Sequence, residues 1–516
     1  MAVVLVSAFL LFSAAPGLAT DLAPSSQTFI RLYENVYAGA PVDTSASDIA
    51  PTADGGYVAA GVTGGPTGYP VGWILKLDAS GKPEWSEEVG AAFTYPTSIE
   101  PTADGGYVVA GGTQGGSGAV CDPLSGRECA FVIKLDSLGG VEWQKVYATG
   151  DSTLQVAWEI RQTPDGGYVV AGNSGYQTEY GAWIAKLDPA GDVEWQKVFG
   201  GTSQYDLSVF ESVQPTADGG YVATGWSTAR FDAQGMQELT VLVAKLDSGG
   251  EVIWQEQYSN FDAFGENIGG ARADAVALTP DGGYLVAGGW ANRGNPGGSD
   301  YLLLKLDPNG DIQWQKAYDG GVRCYYSWLG YTCVRLGGFV YSVRPSPDGG
   351  YLLSGFGWAV IGDPVVLIAL EAWLGKVDAN GNVLWHNTYF PTYGPTGLPL
   401  ATNTFYDVGA TADGGVVAIA STTVYETQEE HLYVVKADAN GNVGGCGEVH
   451  AGVPLTALDP SLVANEVSLP VSTDAASVAT AAGDALLTSA SMTQTCGGGE
   501  PAPIPRPPRR KLKKNG

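Results

Sequence analysis

Seven near-copies of one short phrase govern what this chain can fold into. "PTADGGYVAAG" (Pro51–Gly61) recurs around Asp54, Asp104, Asp165, Asp218, Asp281, Asp348 and Asp413, at spacings of 50, 61, 53, 63, 67 and 65 residues. Each Asp precedes Gly-Gly, then Tyr six times and Val once. A unit of this length is too small to bury both its faces, so the units must stack.

Each copy contains four strand-like pieces. The first carries Ile or Val five residues before the Asp: Ile49, Ile99, Ile160, Val213, Val276, Val343 or Val408. Thr or Ser, then Ala or Pro, then Asp-Gly follow, the order of a type I turn ending in a left-handed residue. Gly accepts that conformation without a steric penalty. The second piece, "YVVAG", is a β-branched and aromatic run suited to a buried strand. The third ends in Lys-Leu-Asp or a close variant, as at Lys76-Leu77-Asp78, with Gly three residues beyond the Asp. The fourth carries Trp85, Trp143, Trp195, Trp254, Trp314 or Trp385. Two hairpins make a four-stranded antiparallel sheet, and radial stacking predicts an all-β, seven-bladed β-propeller over residues 28–445. The seventh copy lacks its Trp strand, whereas "TFIRLYENVYAG" (Thr28–Gly39) reads as an isolated fourth strand. The N-terminal strand is therefore expected to complete the seventh blade and close the ring.

Composition narrows the setting. Gly supplies 74 of 516 residues, and the net charge is −28. The final "RPPRRKLKKNG" holds six of the 26 basic residues and no acid, so the body is more acidic than the total. Such a body repels phosphate backbones, which excludes nucleic acid as its partner. Residues 1–19 read as a secretory signal peptide: an apolar run leads to Gly17 and Ala19 before a cleavage point. The apolar stretch Gly357–Val377 carries Asp363, Pro364 and Glu371 and reads as buried strands, so no transmembrane span is expected. Six cysteines fall into neighbouring couples, Cys121 with Cys129, Cys324 with Cys333, and Cys446 with Cys496. Proximity favours these pairings, though six cysteines allow 15. An even count suits an oxidising compartment, so a secreted or cell-surface monomer is expected. Residues 446–496 read as a disulfide-tied, β-rich arm. Residues 497–516 read as a disordered, Pro-rich basic tail, solvated or touching an anionic surface.

The unit "KLDxxGxxxW", with Asp78, Gly81 and Trp85 in its first copy, resembles the tryptophan-docking repeat of quinoprotein dehydrogenases. There a Trp packs between blades. Over residues 28–445 the chain also looks like secreted bacterial and archaeal β-propeller repeat proteins with "DGGYVVAG…KLDxxGxxxWQK" repeats. This resemblance implies a propeller and says little of activity. Quinone enzymes of the first kind bring a calcium site, an Asp base and often an adjacent Cys-Cys pair. No such pair exists here, and no cofactor is expected.

The inner strand and the loops carry the residues able to do chemistry. "DPNGD" (Asp307–Asp311) and "DANGN" (Asp378–Asn382) start like calcium loops but lack the closing Glu. They read as turns, and no metal ligands are assigned. Six residues before the repeated Asp stand Asp48, Glu159 and Asp407; four before it stand Glu100, Arg161, Gln214 and Arg344. Strict alternation with the buried Ile or Val points all of them into the central channel. Paired carboxylates there would suit a glycoside hydrolase or lyase, but no catalytic residue is assigned. Both hairpin types fall at one end of every sheet, leaving the variable loops at the other, where binding residues usually lie. Aromatics follow the second strand at Trp226, Trp290 and Trp358, and "CYYSWLGYTC" adds Tyr325, Tyr326, Trp328 and Tyr331. Exposed aromatic clusters suit sugar stacking or a protein hot spot. The expected function is a non-catalytic binding propeller that recognises a protein or envelope glycan through this loop face. The alternative is an extracellular enzyme, a glycosidase or lyase, or less readily a quinone-dependent dehydrogenase, using the channel.

Overall fold

The repeated phrase folds into the turn that its residue order dictates. In a computed structural model of the chain, the Gly55 N–H donates to the Thr52 carbonyl at 2.9 Å, and the Thr52 N–H to the Gly56 carbonyl at 2.9 Å. Gly55 takes a φ of 84°. Asp54 Oδ1 accepts the Gly56 N–H at 2.9 Å and the Thr52 hydroxyl. The invariant Lys of the third strand lies under this turn. Lys76 Nζ donates to the Leu77 carbonyl at 3.1 Å and pairs with Asp54 at 2.8 Å. All seven copies repeat the Lys–Asp pair, at 2.5–3.0 Å. The two signature charges are thus a clasp that ties one hairpin to the other.

The described residues run from 28 to 444, apart from 38–39, 66–68, 91–92, 115–126, 150–153, 177–178, 201–206, 232–236, 262–266, 292–298, 320–321, 328–329, 336, 362–366, 390–391, 394–397, 400 and 424–429; beyond 444 they comprise the seven strands given below. They form seven four-stranded antiparallel blades in a ring, a seven-bladed β-propeller without helices. Blade 1 is Thr44–Pro51, Tyr57–Gly64, Pro70–Leu77 and Pro83–Val89, from the channel outward. Blade 7 is Ala401–Ala410, Val416–Thr423 and Glu430–Ala437, completed by Phe29–Tyr37. Phe29 pairs with Lys436 in that last ladder, so the N-terminal strand closes the ring as expected.

The core is distributed among the joints between blades. Apolar clusters fill all seven, the closing one combining Phe29, Tyr33, Ile49, Trp73, Leu75, Val417 and Val434. The outer-strand Trp docks on the left-handed Gly of the next blade's second hairpin. A Cβ on Gly191 would lie 2.7 Å from Trp143, and one on Gly250 2.7 Å from Trp195. In four blades a Tyr four residues after the Trp donates to the same Gly carbonyl, as Tyr147 does to Gly191 at 2.8 Å and Tyr258 to Gly310 at 2.7 Å. The closing strand copies this with Phe29 and Tyr33, whose hydroxyl donates to Gly81 at 2.6 Å.

The described strands of the β-rich segment that follows the seventh copy encircle the ring. Val449–Ala451 adds to the outer edge of blade 6, Thr456–Leu458 to blade 5, Val463–Glu466 to blade 4, Val471–Ser472 to blade 3, Ala476–Thr480 to blade 2, Leu486–Thr488 to blade 1 and Ala490–Gly497 to blade 7. Every blade thereby gains a fifth strand. Outer edges that would otherwise offer unpaired backbone groups are covered.

Cys129 is disulfide-bonded. Cys324 lies opposite Cys333 in a separate hairpin, Val322–Ser327 with Gly330–Arg335. Cys496 pairs with Ile30. Cys121, Cys446, the expected signal peptide and residues 498–516 lie outside the described residues. Among the described residues no helix is long and apolar enough to cross a membrane.

Candidate functional site

Each inner strand contains one residue more than its neighbour can pair. The register slips between Ala46 and Asp48, Pro96 and Ser98, Ala157 and Glu159, Phe210 and Ser212, Ala273 and Ala275, Val340 and Ser342, and Phe405 and Asp407. These are seven β-bulges at one height. A bulge re-aims a side chain that strict alternation would send to the other face. The extra residues are Ser47, Thr97, Trp158, Glu211, Asp274, Tyr341 and Tyr406. They line a single cavity of about 90 Å³ at the channel mouth, together with Asp48, Glu159, Arg344 and Asp407.

This ring was missed because alternation sends position −7 away from the channel. Two signals in the sequence pointed to it. Polar or aromatic residues stand side by side at −7 and −6 in most copies, which breaks the period of two. The Gly of "YVVAG" is the other. A Cβ on Gly172 would sit 1.9 Å from the Val156 carbonyl oxygen, and one on Gly225 1.9 Å from that of Val209. A lone Gly inside a strand marks such a close approach.

The −6 residues bind blade to blade. A bulge leaves backbone N–H groups out of the ladder, and buried ones need a partner. Asp48 accepts the Ile49 N–H at 2.8 Å and, from blade 2, the Ile99 N–H at 2.7 Å. Glu159 accepts the Val213 N–H and the Ser212 hydroxyl, each at 2.6 Å. Arg161 pairs with Glu159, and Arg344 reaches Glu159 at 3.3 Å and Asp407 at 3.1 Å. Burial and the Asp407 charge raise the Asp48 carboxyl well above its usual range. Asp407 lies lower despite its burial, held by Arg344 and by hydrogen bonds from Asp48 and Ser342. Glu100, raised by burial, accepts the Gln162 N–H at 2.6 Å. Of the seven residues expected in the channel, Asp48, Glu159, Arg344 and Asp407 line the mouth. Glu100 and Arg161 join the network on the hairpin side, and Gln214 stands half-buried outside the cavity.

In the −7 ring six residues are half-buried and Tyr406 is exposed. Burial, then the Asp274 charge, push the Glu211 carboxyl up to about 7 against the pull of Arg272 and Trp226. Trp226 Nε1 donates to Glu211 at 3.0 Å. Arg272 pairs with Asp274 and lies 5.1 Å from the Phe339 ring centre. Tyr341 and Tyr406 stack with ring centres 6.1 Å apart, and Tyr406 is 38 % exposed. Trp158 Nε1 donates to Asn173 at 2.9 Å.

The loop-face aromatics divide. Trp290 is not a surface residue: it is 4 % exposed and packed in the joint between blades 4 and 5. Small Ala271 opposite it leaves the room. Trp226 is half-buried, edge-on to Tyr180, and braces Glu211. Tyr325, Tyr326 and Tyr331 lie on the Val322–Arg335 hairpin, but their side chains, that of Trp358 and all of Trp328 fall outside the described residues. The two calcium-like loops are turns. Asp307 Oδ1 accepts the Asn309 and Asp311 N–H groups at 2.8 and 3.0 Å, and Asp378 Oδ1 those of Asn380 and Asn382 at 2.8 Å each.

No protein-family model and no curated protein matches the chain. Among solved structures it is similar to Sqt1 from Chaetomium thermophilum, at 13 % identity over 79 % of this chain and 100 % of that one, with a TM-score of 0.39. It is similar to polysaccharide lyase Uly1, at 7 % identity over 81 % and 98 %, TM-score 0.40. A GH43_12 protein from a capybara gut metagenome matches at 10 % identity over 83 % and 99 %, TM-score 0.22. At these scores the likenesses carry no inference about ligand or reaction.

Proposed function

We propose that the protein is an extracellular binding propeller whose ligand is a glycan, held at the channel mouth by the bulge ring. The observation that carries this reading is the seven-fold bulge itself. It gathers the rings of Trp158, Tyr341 and Tyr406 and the carboxyls of Glu211 and Asp274 on one rim. Aromatic faces stack on the apolar faces of sugars, while carboxyl and guanidinium groups take hydroxyls. The N-terminal apolar run and the even cysteine count support a place outside the cell.

A glycan array probed with the chain lacking residues 1–19 tests this. Retained glycans should be lost about tenfold or more on Tyr406→Ala, with the melting temperature unmoved because Tyr406 is 38 % exposed. Absence of any retained glycan, or full retention by the variant, defeats the reading. One observation favours hydrolysis as a second reading: burial pushes the Glu211 carboxyl up to about 7, and it also raises the neighbouring Asp274 carboxyl against the pull of its Arg272 ion pair. Two carboxyls in unlike environments can divide acid and base roles. Turnover of a bound oligosaccharide that Glu211→Gln abolishes without loss of binding would make the protein an enzyme.

A further inference from the structure

The side chains of the bulge ring are unevenly distributed around the mouth. Blades 3 to 7 contribute Trp158, Glu211, Asp274, Tyr341 and Tyr406 in order, whereas blades 1 and 2 contribute only Ser47 and Thr97. Two adjacent carboxyls thus stand in a sector with an aromatic ring on either side. The other carboxyls of the cavity are committed. Asp48 accepts the Ile49 N–H on one oxygen and the Ile99 N–H on the other. Glu159 takes Arg161 and Arg344 on one oxygen, and Ser212 and Val213 on the other. Asp407 takes Arg344 and the Ser342 hydroxyl. Asp274 receives two nitrogens of Arg272, Nε at 3.2 Å and Nη2.

Glu211 differs. Its Oε1 accepts the Trp226 indole N–H at 3.0 Å, and among the described residues no hydrogen bond reaches its Oε2 and no ion pair forms on it. The groups around it do not make up the charge. Blade 3 presents Glu159 and Tyr180, blade 5 Arg272 already forked on Asp274, and blade 6 Tyr341. Two carboxyls share one guanidinium, so this sector is one positive charge short. We propose that the glycan taken at the channel mouth carries a free amino group, held as an ammonium by Glu211 in the sector that Trp158 and Tyr341 flank. This names the ligand class of the binding reading above and rests on that reading. An ammonium supplies the missing charge and N–H donors for Oε2. A sugar hydroxyl also donates, but a neutral ligand that covers an ionised carboxyl leaves the charge buried without a counter-ion. Aromatic faces attract a cation more than a neutral group, and the same carboxyls repel acidic sugars. Burial raises Glu211 to about 7, so in mild acid an ammonium binds by displacing a proton.

Titration calorimetry of the full chain with a glucosamine trimer and its fully N-acetylated counterpart tests this. At about pH 5.5 the free-amine trimer should bind about tenfold tighter or more. Compared across buffers of different ionisation enthalpy, it should release about one proton per complex, and the acetylated trimer none. Glu211→Gln should bring the two affinities together and end the proton release. That variant keeps an acceptor for the Trp226 N–H. It also removes only one of 54 acidic side chains, so a general attraction of cations to an acidic protein would survive it. Equal affinities in the unaltered chain, or a preference that persists in Glu211→Gln, overturn the proposal. If a trimer still binds in those cases and Tyr406→Ala weakens it, the glycan reading stands without the amine. Retention of other glycans on the array, with neither trimer bound, likewise removes the amine alone. If no glycan of any kind binds, both fall.

Discussion

Two left-handed glycines separate backbone strain from packing. Gly55 has a φ of +84° and open space where a Cβ would go, whereas Gly191, at +79°, faces the Trp143 ring at 2.7 Å. Gly55→Ala should cost only the left-handed penalty of an L-residue, ~1–2 kcal/mol. Gly191→Ala should add ~1–3 kcal/mol, because the indole must move within a packed joint. Midpoints of urea unfolding compare the two directly. Equal losses would mean that the docked indole contributes no specific packing at that joint. The same residue-level view explains the repeat's charges, since Lys and Asp recur as the two halves of a buried-to-exposed clasp.

At the level of the strand, Phe29–Tyr37 serves as the fourth member of blade 7. Removing residues 28–37 would uncover two packed faces, one that Ile30 and Leu32 cover and one that Phe29 and Tyr33 cover. The shortened chain should lose its sharp thermal transition and melt broadly at lower temperature, as calorimetry would show. Unchanged melting would mean that the ring does not depend on its closing strand. This strand was legible in the sequence because the seventh copy lacked what the first residues supplied. The turns were legible because Pro, Asp and Gly each restrict the backbone in a known way. The bulges were harder. A period-two rule assigns faces by counting, and one inserted residue changes which side chains reach the channel without changing composition. Trp158, Glu211 and Tyr406 were therefore overlooked, although the Gly of "YVVAG" records the bulge opposite it. The encircling strands had no repeat to betray them. Their pairing is set by the blade edges they meet.

For the molecule as a whole, two sets of carboxyls pull stability in opposite directions with pH. Hydrogen bonds from the Lys clasp, the Thr hydroxyl and the Gly N–H outweigh partial burial and hold Asp54, Asp104, Asp165, Asp218 and Asp281 at about 2. Their contribution is present above the unfolded value of ~3.9 and is lost as pH falls toward 2. Glu211, at about 7, does the reverse: its contribution is present below ~4.3 and lost as pH rises through neutrality. The melting temperature should climb as pH falls from roughly 8 to 4.5, then drop below roughly 3.5. Glu211→Gln should flatten the neutral limb, and a melting temperature that falls steadily from neutrality to mild acid would contradict the assignment. The closing joint also imposes an order in time. Phe29 pairs with Lys436, about 400 residues further along. At ~5–20 residues per second of synthesis, its partner arrives some 20–80 s later. An apolar strand must wait through that interval with its edge unpaired, so ring closure is a late step and premature pairing its chief hazard.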